Sequence, residues 1–378
     1  MVSAIATANT TAAPPSMKAE NFVELIRLEA TDEPNVFLTC SFPEKQGNSA
    51  AIAYGGCTLA FVVQAAYKTV EGRKGLPDFN IYSLNGNYLG PALSDRRVRL
   101  KVDIVRDTRT FATRFVTAYQ TWDNGQERSC FAALIDFQAP VPKPAEPLKV
   151  PYAPFSARPS TIVQRPEDVP SWRDVIDERV RTGGLTPQRA RGMLEMFELG
   201  MRLGESRQVP TSIHYQNMIG NDTSKPTTQD HLALTDRVSV DWFRCRVDLG
   251  PSSSALPPPP GGNSRALPVS AKSANACFLA FTMDAAIAFI PVTYSNIPLD
   301  AVGACSSLDC AFRYHTEAPD MNKWHLREMK TICGQAEKTY SEARLWDEEL
   351  GMVATMTQAS ILRSPPPPPP GRKEQARL

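Results

Sequence analysis

The stretch ACFLAFTMDAAIAFIPV, residues 276–292, is the most apolar run in the chain, and it holds a single acid, Asp284. A carboxylate in such a run is costly to bury unless another group binds it or the protein uses it. A membrane span needs about 18 to 20 apolar residues with few or no charges, and this run is shorter and carries its acid near the centre. We therefore expect a core helix over 276–290 and no membrane span, with Asp284 either at a functional site or paired with an arginine.

The composition is that of a globular protein. The 378 residues have room for two domains, 42% are hydrophobic, and the formal net charge is +1. This near-neutral balance gives no electrostatic reason to expect nucleic acid or a membrane surface as a partner. The N-terminal segment MVSAIATANTTAAPPS lacks the basic and apolar regions of a secretory signal and predicts a disordered leader.

The cysteines argue against a disulfide framework and against a zinc site. The eight residues are scattered and form no CxxC pair, which favours reduced single thiols. Cys305, Cys310 and His315 are close enough in sequence to be metal ligands. Residues five apart on a strand point to opposite faces, however, so the two thiols would diverge. We expect no metal and no cofactor.

Proline-rich segments divide the chain. They are a linker over 138–160, a Pro/Ser-rich insertion over 249–264 and a polyproline tail from Ser364. Between the linker and the insertion, apolar residues recur at helical spacing and indicate a core or lid helix. The residues are Met193, Leu194, Phe197 and Met201.

The blocks on either side of this helical region repeat the same order of features. In the first block, VRLKVDIV (98–105) alternates as a half-buried strand does, and two further strand-like runs follow it. Three landmarks recur 224 residues later: Thr58 as Thr282, Ser83-Leu84-Asn85 as Ser307-Leu308-Asp309, and Trp122-Asp123 as Trp346-Asp347. One shared offset indicates an internal duplication, with each copy a long helix followed by about four antiparallel strands.

The same offset pairs Asp284 with Ala60 and Gln358 with Leu134. The second copy is thus polar where the first is apolar. A merely structural position should accept apolar residues in both copies. The asymmetry therefore indicates that the second copy has kept a polar site.

At this point the motifs resemble a known family. AYGGCTLAFVVQAAYKTV (53–70), YSLNGNYLGP (82–91) and ALIDFQ (133–138) are similar to the first half of the acyl-CoA thioesterase II family. FLAFTMDAAIAFIPV (278–292), SSLDCAFRYH (306–315) and LGMVATMTQASILR (350–363) are similar to its second half. The resemblance implies an α+β double hotdog fold, two tandem helix-wrapped antiparallel sheets packed through their sheets. It also implies hydrolysis of an acyl-CoA, a fatty acyl-CoA or one specific to a pathway, to free acid and CoA.

The resemblance also sets the expected domain boundaries. We expect a first hotdog unit over 17–138 and a second over 234–363, the latter carrying the 249–264 insertion. A linker and helical connection would occupy 139–233, and the polyproline tail would occupy 364–378.

The family's site residues fall on three positions of this chain. They are an Asp on the second helix, a hydroxyl on the following strand and a Gln on the last strand, which the resemblance places at Asp284, Ser307 and Gln358. Asp284 would take a proton from a water that the other two orient. Gly55 and Gly56 open the first helix and would let backbone N–H groups approach the developing oxyanion. Tight helix–sheet packing explains the two glycines equally well.

Several departures and alternatives bear on the function. Relatives usually carry Glu, His and His where this chain has Ala359, Cys310 and Asn85, which leaves the substrate open. No GxSxG elbow or nucleotide-binding loop occurs, which argues against a serine hydrolase and against nucleotide chemistry. A hotdog hydratase or dehydratase is one alternative, although the Asp–His dyad it needs is not in register. A catalytically weak acyl-CoA-binding protein is the other.

The chain ends in Ala376-Arg377-Leu378, which is chemically close to the S-K-L peroxisomal address. We therefore expect binding to the peroxisomal import receptor, with the cytoplasm as the alternative location. The prolines from Pro365 to Pro370 favour an extended rod that would hold the tripeptide away from the globule. A homo-oligomer is a further expectation.

Overall fold

The computed structural model describes residues 18–48, 50–75, 77–140, 155–161, 163–250, 255–256 and 265–365. The predicted leader, the tripeptide Ala376–Leu378 and most of the linker, insertion and tail lie outside the described residues.

The described part of the first half holds two helices and six strands. The helices are α1 (Phe22–Leu25) and α2 (Gly55–Lys68). The strands are β1 (Leu28–Ala30), β2 (Val36–Thr39), β3 (Asn80–Tyr88), β4 (Arg99–Asp107), β5 (Phe111–Thr121) and β6 (Glu127–Gln138).

The connection between the halves is mainly helical. Its elements are α3 (Trp172–Arg181), α4 (Pro187–Met196), α5 (Glu198–Leu203), β7 (Gly204–Gln208) and α6 (Ile213–Gln216). The predicted helical pattern falls on α4 and α5, and Met193 lies in an apolar cluster that also contacts Phe289 of the second half.

The second half holds two helices and eight strands in its described residues. It begins with β8 (Ser239–Cys245), β9 (Ala255–Leu256), β10 (Val269–Ser270), α7 (Ala271–Met283) and α8 (Ile290–Tyr294). It continues with β11 (Ala304–Ser307), β12 (Asp309–Tyr314), β13 (His325–Gln335), β14 (Lys338–Trp346) and β15 (Met352–Arg363).

One curved sheet joins the two halves. Among the described residues, a 13-stranded sheet contains every strand except the short pair β9–β10. The halves meet edge to edge through the antiparallel pair β3–β12, in which Asn85 lies opposite Ala311. Inside the sheet α2 and α7 run side by side, and the Tyr54 hydroxyl donates to the Phe281 carbonyl at 2.5 Å. The predicted α+β fold of two tandem helix-wrapped sheets is confirmed, with the two units joined through strand edges and helix contacts.

Helix α7 is shorter than the predicted helix over 276–290. Ser270 caps its N-terminus by accepting a hydrogen bond from the Ser273 N–H, and nearly all of its side chains are buried. The helix ends at Met283, and Asp284 is its C-cap. Ala286 then adopts a left-handed conformation with φ 72°, which ends the helical path before a short 3-10 turn. Asp284 therefore lies at the end of a helix rather than at its centre.

The helical stretch 271–294 is apolar because it lies in the core. It has 24 residues, and its most apolar window of 18 residues has a mean hydropathy of 1.8, enough by length and composition for a membrane span. However, 72% of that apolar window is buried inside the protein, as in the core helix of a globular fold.

The duplication is visible in the strands, but equivalent residues of the two halves are not all separated by the predicted offset of 224. Each half has a β-bulge just before its Trp-Asp turn, at Ala118/Tyr119 in the first hairpin and at Leu345/Trp346 in the second. Aligned on these bulges, Gln358 matches Ile135, and the predicted match to Leu134 is wrong by one residue. Leu134 itself is 38% exposed, on the opposite face of the sheet from the buried Gln358.

The predicted pairing of Asp284 with Ala60 is also wrong. Ala60 lies within α2, whereas Asp284 is a C-cap, and the C-cap of α2 is Thr69. The offset of 224 therefore describes the strands better than the helices. The underlying inference survives for Gln358, because its structural counterpart Ile135 is still apolar.

Candidate active site

The Asp284 carboxylate lies where the end of α7 meets the start of α2. Asp284 is only 6% exposed. Its Oδ1 accepts hydrogen bonds from Gln358 Nε2 at 2.8 Å and from the Tyr88 hydroxyl at 3.2 Å. A Cβ on Gly55 would lie 2.8 Å from Asp284 Oδ2, so the missing side chain makes room for the carboxylate. Residues of both halves thus surround one acid.

The N-terminus of α2 faces this carboxylate. The N-cap Tyr54 supplies no side-chain hydrogen bond, so the first N–H groups of the helix depend on other partners. The Gly56 N–H interacts with Asp284, as expected where a negative charge meets a helix N-terminus. Among the described residues, the Gly55 N–H has no acceptor.

The two glycines have different local roles. A Cβ on Gly56 would lie 2.5 Å from the Phe281 carbonyl oxygen, so Gly56 permits the close approach of α7 to α2. The packing that it permits is therefore between two helices, not between a helix and the sheet. Gly55 instead accommodates the carboxylate itself.

Burial sets the protonation behaviour of Asp284. The pKa of the carboxyl group is raised from 3.8 to about 6, and removal from water is the largest cause. Hydrogen bonds from Gln358, Tyr88 and the Gly56 N–H, together with the charge of Arg327, act in the opposite direction on that pKa. The carboxylate is therefore charged at neutral pH, yet its pKa is close enough to 7 for proton transfer.

Arg327 fixes the backbone around Asp284. From β13, its Nη1 donates to the carbonyls of Thr282 at 2.6 Å and Ala285 at 2.8 Å, one on each side of the acid. Its Nε and Nη2 donate to the two carboxylate oxygens of Asp241 at 3.0 and 2.7 Å. A cation thus caps the C-terminus of α7 and is itself neutralised by a second acid.

Gln358 lies on β15 with its amide held from both ends. The Ser360 hydroxyl lies 3.4 Å from Gln358 Oε1, which favours the orientation that directs Nε2 at Asp284. Ser307 on β11 lies directly opposite Ser360, so it shares the face of the sheet that carries Gln358. In the part of the chain that the structure describes, Ser307 makes no hydrogen bond to Asp284 or Gln358. Two of the three predicted site residues are therefore in contact, and the third lies on the same face.

A bulge positions the residues between the two halves. Ser307 pairs with Ser360 but Ala311 pairs with Thr357, so one extra residue is inserted at Leu308. The Leu308 carbonyl accepts the Tyr88 N–H at 2.9 Å. This bulge ties the strand of Ser307 to the strand of Tyr88.

Sequence reasoning missed Tyr88, Arg327 and Ser360. Tyr88 is 196 residues from Asp284 and belongs to the other half, so no local pattern connects them. Arg327 gave a weak signal, because it and Glu328 are charged residues between the apolar residues Leu326 and Met329 of a strand. Ser360 lies two residues after Gln358, on the same face of the strand. The sequence alone does not single it out, because its role becomes apparent only once both residues are seen to be buried.

Cys305, Cys310 and His315, which the sequence offered as metal ligands, make only local contacts among the described residues. Cys305 and Cys310 are free thiols, and Cys305 Sγ donates to the Ala288 carbonyl at 3.4 Å. His315 Nε2 lies 3.1 Å from the Thr355 hydroxyl. Within the described ranges, no three His, Cys, Asp or Glu side chains are grouped as metal ligands.

Comparison with known proteins places this chain in a family. The sequence profile of the acyl-CoA thioesterase N-terminal domain matches residues 42–138, and that of the C-terminal domain matches residues 202–362. The chain belongs to the acyl-CoA thioesterase family that these two domains define, and it is an acyl-CoA thioester hydrolase. No curated protein sequence shows significant similarity to it.

Solved structures share the fold at low identity. The tesB protein of Mycobacterium avium subspecies paratuberculosis is 16% identical with a TM-score of 0.55, over 92% of this chain and 98% of that one. The acyl-CoA thioesterase II TesB2 of Mycobacterium marinum is 18% identical with a TM-score of 0.52, over 91% and 98%. A hotdog-fold protein of Alicyclobacillus acidocaldarius is 15% identical with a TM-score of 0.55, over 91% and 98%. These similarities establish the double hotdog architecture.

Proposed function

We propose that this enzyme hydrolyses acyl-CoA thioesters with Asp284 as the general base, Gln358 and Ser307 as the residues that orient the water, and the Gly55 N–H as the oxyanion donor. The observation that carries the proposal is the buried hydrogen bond from Gln358 Nε2 to Asp284 Oδ1. It joins an acid whose pKa is about 6 to an amide side chain on the adjoining strand β15.

The two oxygens of the Asp284 carboxylate have different contacts, and we assign them different roles. Oδ1 accepts from Gln358 and Tyr88 and is held in place, whereas Oδ2 has no side-chain donor among the described residues. Oδ2 is therefore the oxygen that takes the proton of an attacking water. The water oxygen forms a bond to the thioester carbon, and the proton passes to Asp284.

The remaining steps balance the reaction. The carbonyl oxygen of the tetrahedral intermediate becomes negative and accepts from the Gly55 N–H, whose position at a helix N-terminus favours negative charge. The intermediate then collapses, the C–S bond breaks, and the CoA thiolate leaves. Asp284 returns its proton to that sulfur, which restores the carboxylate.

The contacts of Asp284 favour hydrolysis over the alternative hotdog chemistry. A hydratase or dehydratase would require a histidine beside the acid. Among the described residues, no histidine hydrogen-bonds to Asp284; its side-chain partners are an amide and a phenol.

The test is release of free CoA from a panel of acyl-CoAs, short to long and branched, with a parallel assay of 2-enoyl-CoA hydration. We expect CoA release with at least one member of the panel and no hydration. Hydration without CoA release would support the hydratase alternative. Tight binding of acyl-CoA without turnover would instead support the binding protein.

We also propose, from the sequence alone, that the enzyme works in peroxisomes. The proposal depends on the tripeptide Ala376-Arg377-Leu378. A fluorescent protein that carries residues 364–378 at its C-terminus should enter peroxisomes, and removal of Leu378 should leave it diffuse. A diffuse reporter with the intact segment would contradict the proposal.

A further inference from the structure

The inner face of β14 and β15 changes from apolar to polar near the candidate base Asp284. On β14 and β15 the paired residues Ala343 and Met356 face inward and belong to the apolar core. One step along the strands, the next inward pair is Ser341 and Gln358, and the pair after that is Thr339 and Ser360. Ser307 on β11 extends that last pair across a third strand. We call Ser307, Thr339, Ser341 and Ser360 the hydroxyl row.

Two hydroxyls of this row are buried without a partner. Thr339 is 6% exposed and Ser341 is 2% exposed. Among the described residues, neither Thr339 Oγ1 nor Ser341 Oγ has a hydrogen-bond partner. A buried hydroxyl without a partner is destabilising, because it has lost its hydrogen bonds to water. Ser341 is paired with Gln358, which contacts the candidate base Asp284. Two unpartnered hydroxyls at this place indicate a ligand that hydrogen-bonds to them.

The first half shows what the fold itself needs at these positions. Aligned on the β-bulges, Thr339 and Ser360 match Ala112 and Phe137, which form the corresponding pair. Both first-half residues are fully buried in the apolar core. The fold therefore accepts apolar side chains at the positions of Thr339 and Ser360, so these two hydroxyls are not required for folding. Ser341 matches Arg114, a buried polar residue.

We propose that the hydroxyl row binds an oxygen-bearing group on the acyl chain, so that the preferred substrate is an acyl-CoA with a hydroxyl or oxo group on its first few carbons. The inference rests on the proposed function. Ser341 is level with Gln358, and Thr339 and Ser360 lie two residues further, which is ~7 Å along the strand. The row thus spans the space that a short acyl segment would occupy beyond the thioester carbon.

The burial of the hydroxyl row indicates that it contacts the acyl chain of the substrate rather than the CoA part. The CoA nucleotide has to reach solvent, whereas Ser341 and Ser360 are at most 2% exposed. Each hydroxyl can donate one hydrogen bond and accept two, so the row suits a group that does both.

The experiment compares kcat/KM for decanoyl-CoA, 3-hydroxydecanoyl-CoA and 6-hydroxydecanoyl-CoA, using the full-length enzyme and its Thr339→Val, Ser341→Ala and double variants. We expect the wild-type enzyme to prefer at least one hydroxylated substrate by about tenfold or more. The double variant should lose that preference. Thr117→Val, a buried threonine on the first sheet, is the matched control and should keep it.

A second measurement guards against misfolding. Because each substitution removes an unpaired buried hydroxyl, none of the three variants should have a lower Tm than the wild-type enzyme. Equal hydrolysis of all three substrates by the wild-type enzyme, or an unchanged preference in the double variant, would overturn the inference and leave the proposed function intact. An equal loss of activity on all substrates would also overturn it, because the row would then bind the shared CoA arm. Failure to hydrolyse any acyl-CoA would instead contradict the proposed function.

Discussion

Asp284 Oδ1 accepts hydrogen bonds from both halves of the chain, at 2.8 Å from Gln358 in the second and at 3.2 Å from Tyr88 in the first. Tyr88 is partly buried and close to the Asp284 charge, and both effects raise the pKa of its hydroxyl well above the usual value of 10. It therefore remains a hydrogen-bond donor at any working pH. The first half thus contributes a hydrogen-bond donor that holds the proposed base.

Tyr88→Phe should shift the pH profile of the enzyme. The Tyr88 hydrogen bond lowers the pKa of Asp284, so its loss should raise that pKa above about 6. The acidic limb of log kcat/KM, which falls where Asp284 becomes protonated, should move to higher pH, and kcat should fall a few-fold. A pH series of CoA release measures both effects. Tyr67→Phe, which removes another buried phenol far from Asp284, should leave the limb in place. An unmoved limb in Tyr88→Phe would show that the contact has no influence on the base.

Gly55→Ala should inactivate a folded enzyme. The added Cβ would lie 2.8 Å from both Asp284 Oδ2 and the Tyr88 hydroxyl, which forces the carboxylate away from the helix N-terminus. We expect kcat/KM to fall by about 10²-fold, because misplacement of a general base removes most of its contribution. Gly192→Ala on α4, where nothing lies within 4 Å of the added atom, is the control and should retain full activity. Equal activity of the two variants would contradict the assigned position of Asp284.

Asp241→Asn should destabilise the fold and reduce activity together. Arg327 is 6% exposed as a side chain, and Asp241 supplies its only carboxylate partner among the described residues. Breaking a buried pair from one side typically costs about 3–5 kcal/mol, because the other charge is left unpaired. Denaturant unfolding measures the loss. The exposed pair Arg181–Glu178 offers the control, and Glu178→Gln should leave the free energy of unfolding unchanged. Equal stability of the two variants would contradict the role of Arg327.

The free energy of unfolding should depend on pH through the titration of Asp284. Its pKa is raised from 3.8 to about 6 on folding, so the native state binds the proton more tightly than the unfolded state. The resulting stabilisation is fully present below pH 3.8 and is lost as the pH rises to about 6. The loss amounts to about 3 kcal/mol. Asp284→Asn should remove this dependence, so its stability relative to the wild-type enzyme should increase between pH 4 and pH 7. A constant difference across that range would contradict the raised pKa.

The sequence predicted the fold from features that act locally. The apolar run 276–292, the strand alternation of VRLKVDIV and the Trp-Asp turns each follow from burial and period, and they specify helices and strands before any contact is known. The helix end at Met283 was not predicted, because Ala285 and Ala286 are good helix formers. Tertiary contacts override them, with Arg327 holding the carbonyls of Thr282 and Ala285.

The sequence predicted only those residues of the candidate site that are polar within an apolar run. Asp284 and Gln358 stand out in this way, and the structure brings them together. Tyr88 and Ser360 do not stand out, since a tyrosine at a strand end and a serine in a strand are common. Their importance depends on the β3–β12 pairing and on the β-bulges, and single-residue shifts of this kind are not visible in a repeat offset.

The most direct test of the central claim is the rate of CoA release by Asp284→Asn at pH 8 on the best acyl-CoA substrate, with its Tm measured on the same sample. Asparagine keeps the size of the side chain and an acceptor for Gln358 and Tyr88, but it cannot take a proton from water. We predict a Tm no lower than that of the wild-type enzyme and a kcat reduced by about 10²-fold or more. A folded variant that releases CoA within a few-fold of the wild-type rate would contradict the assignment of Asp284 as the base.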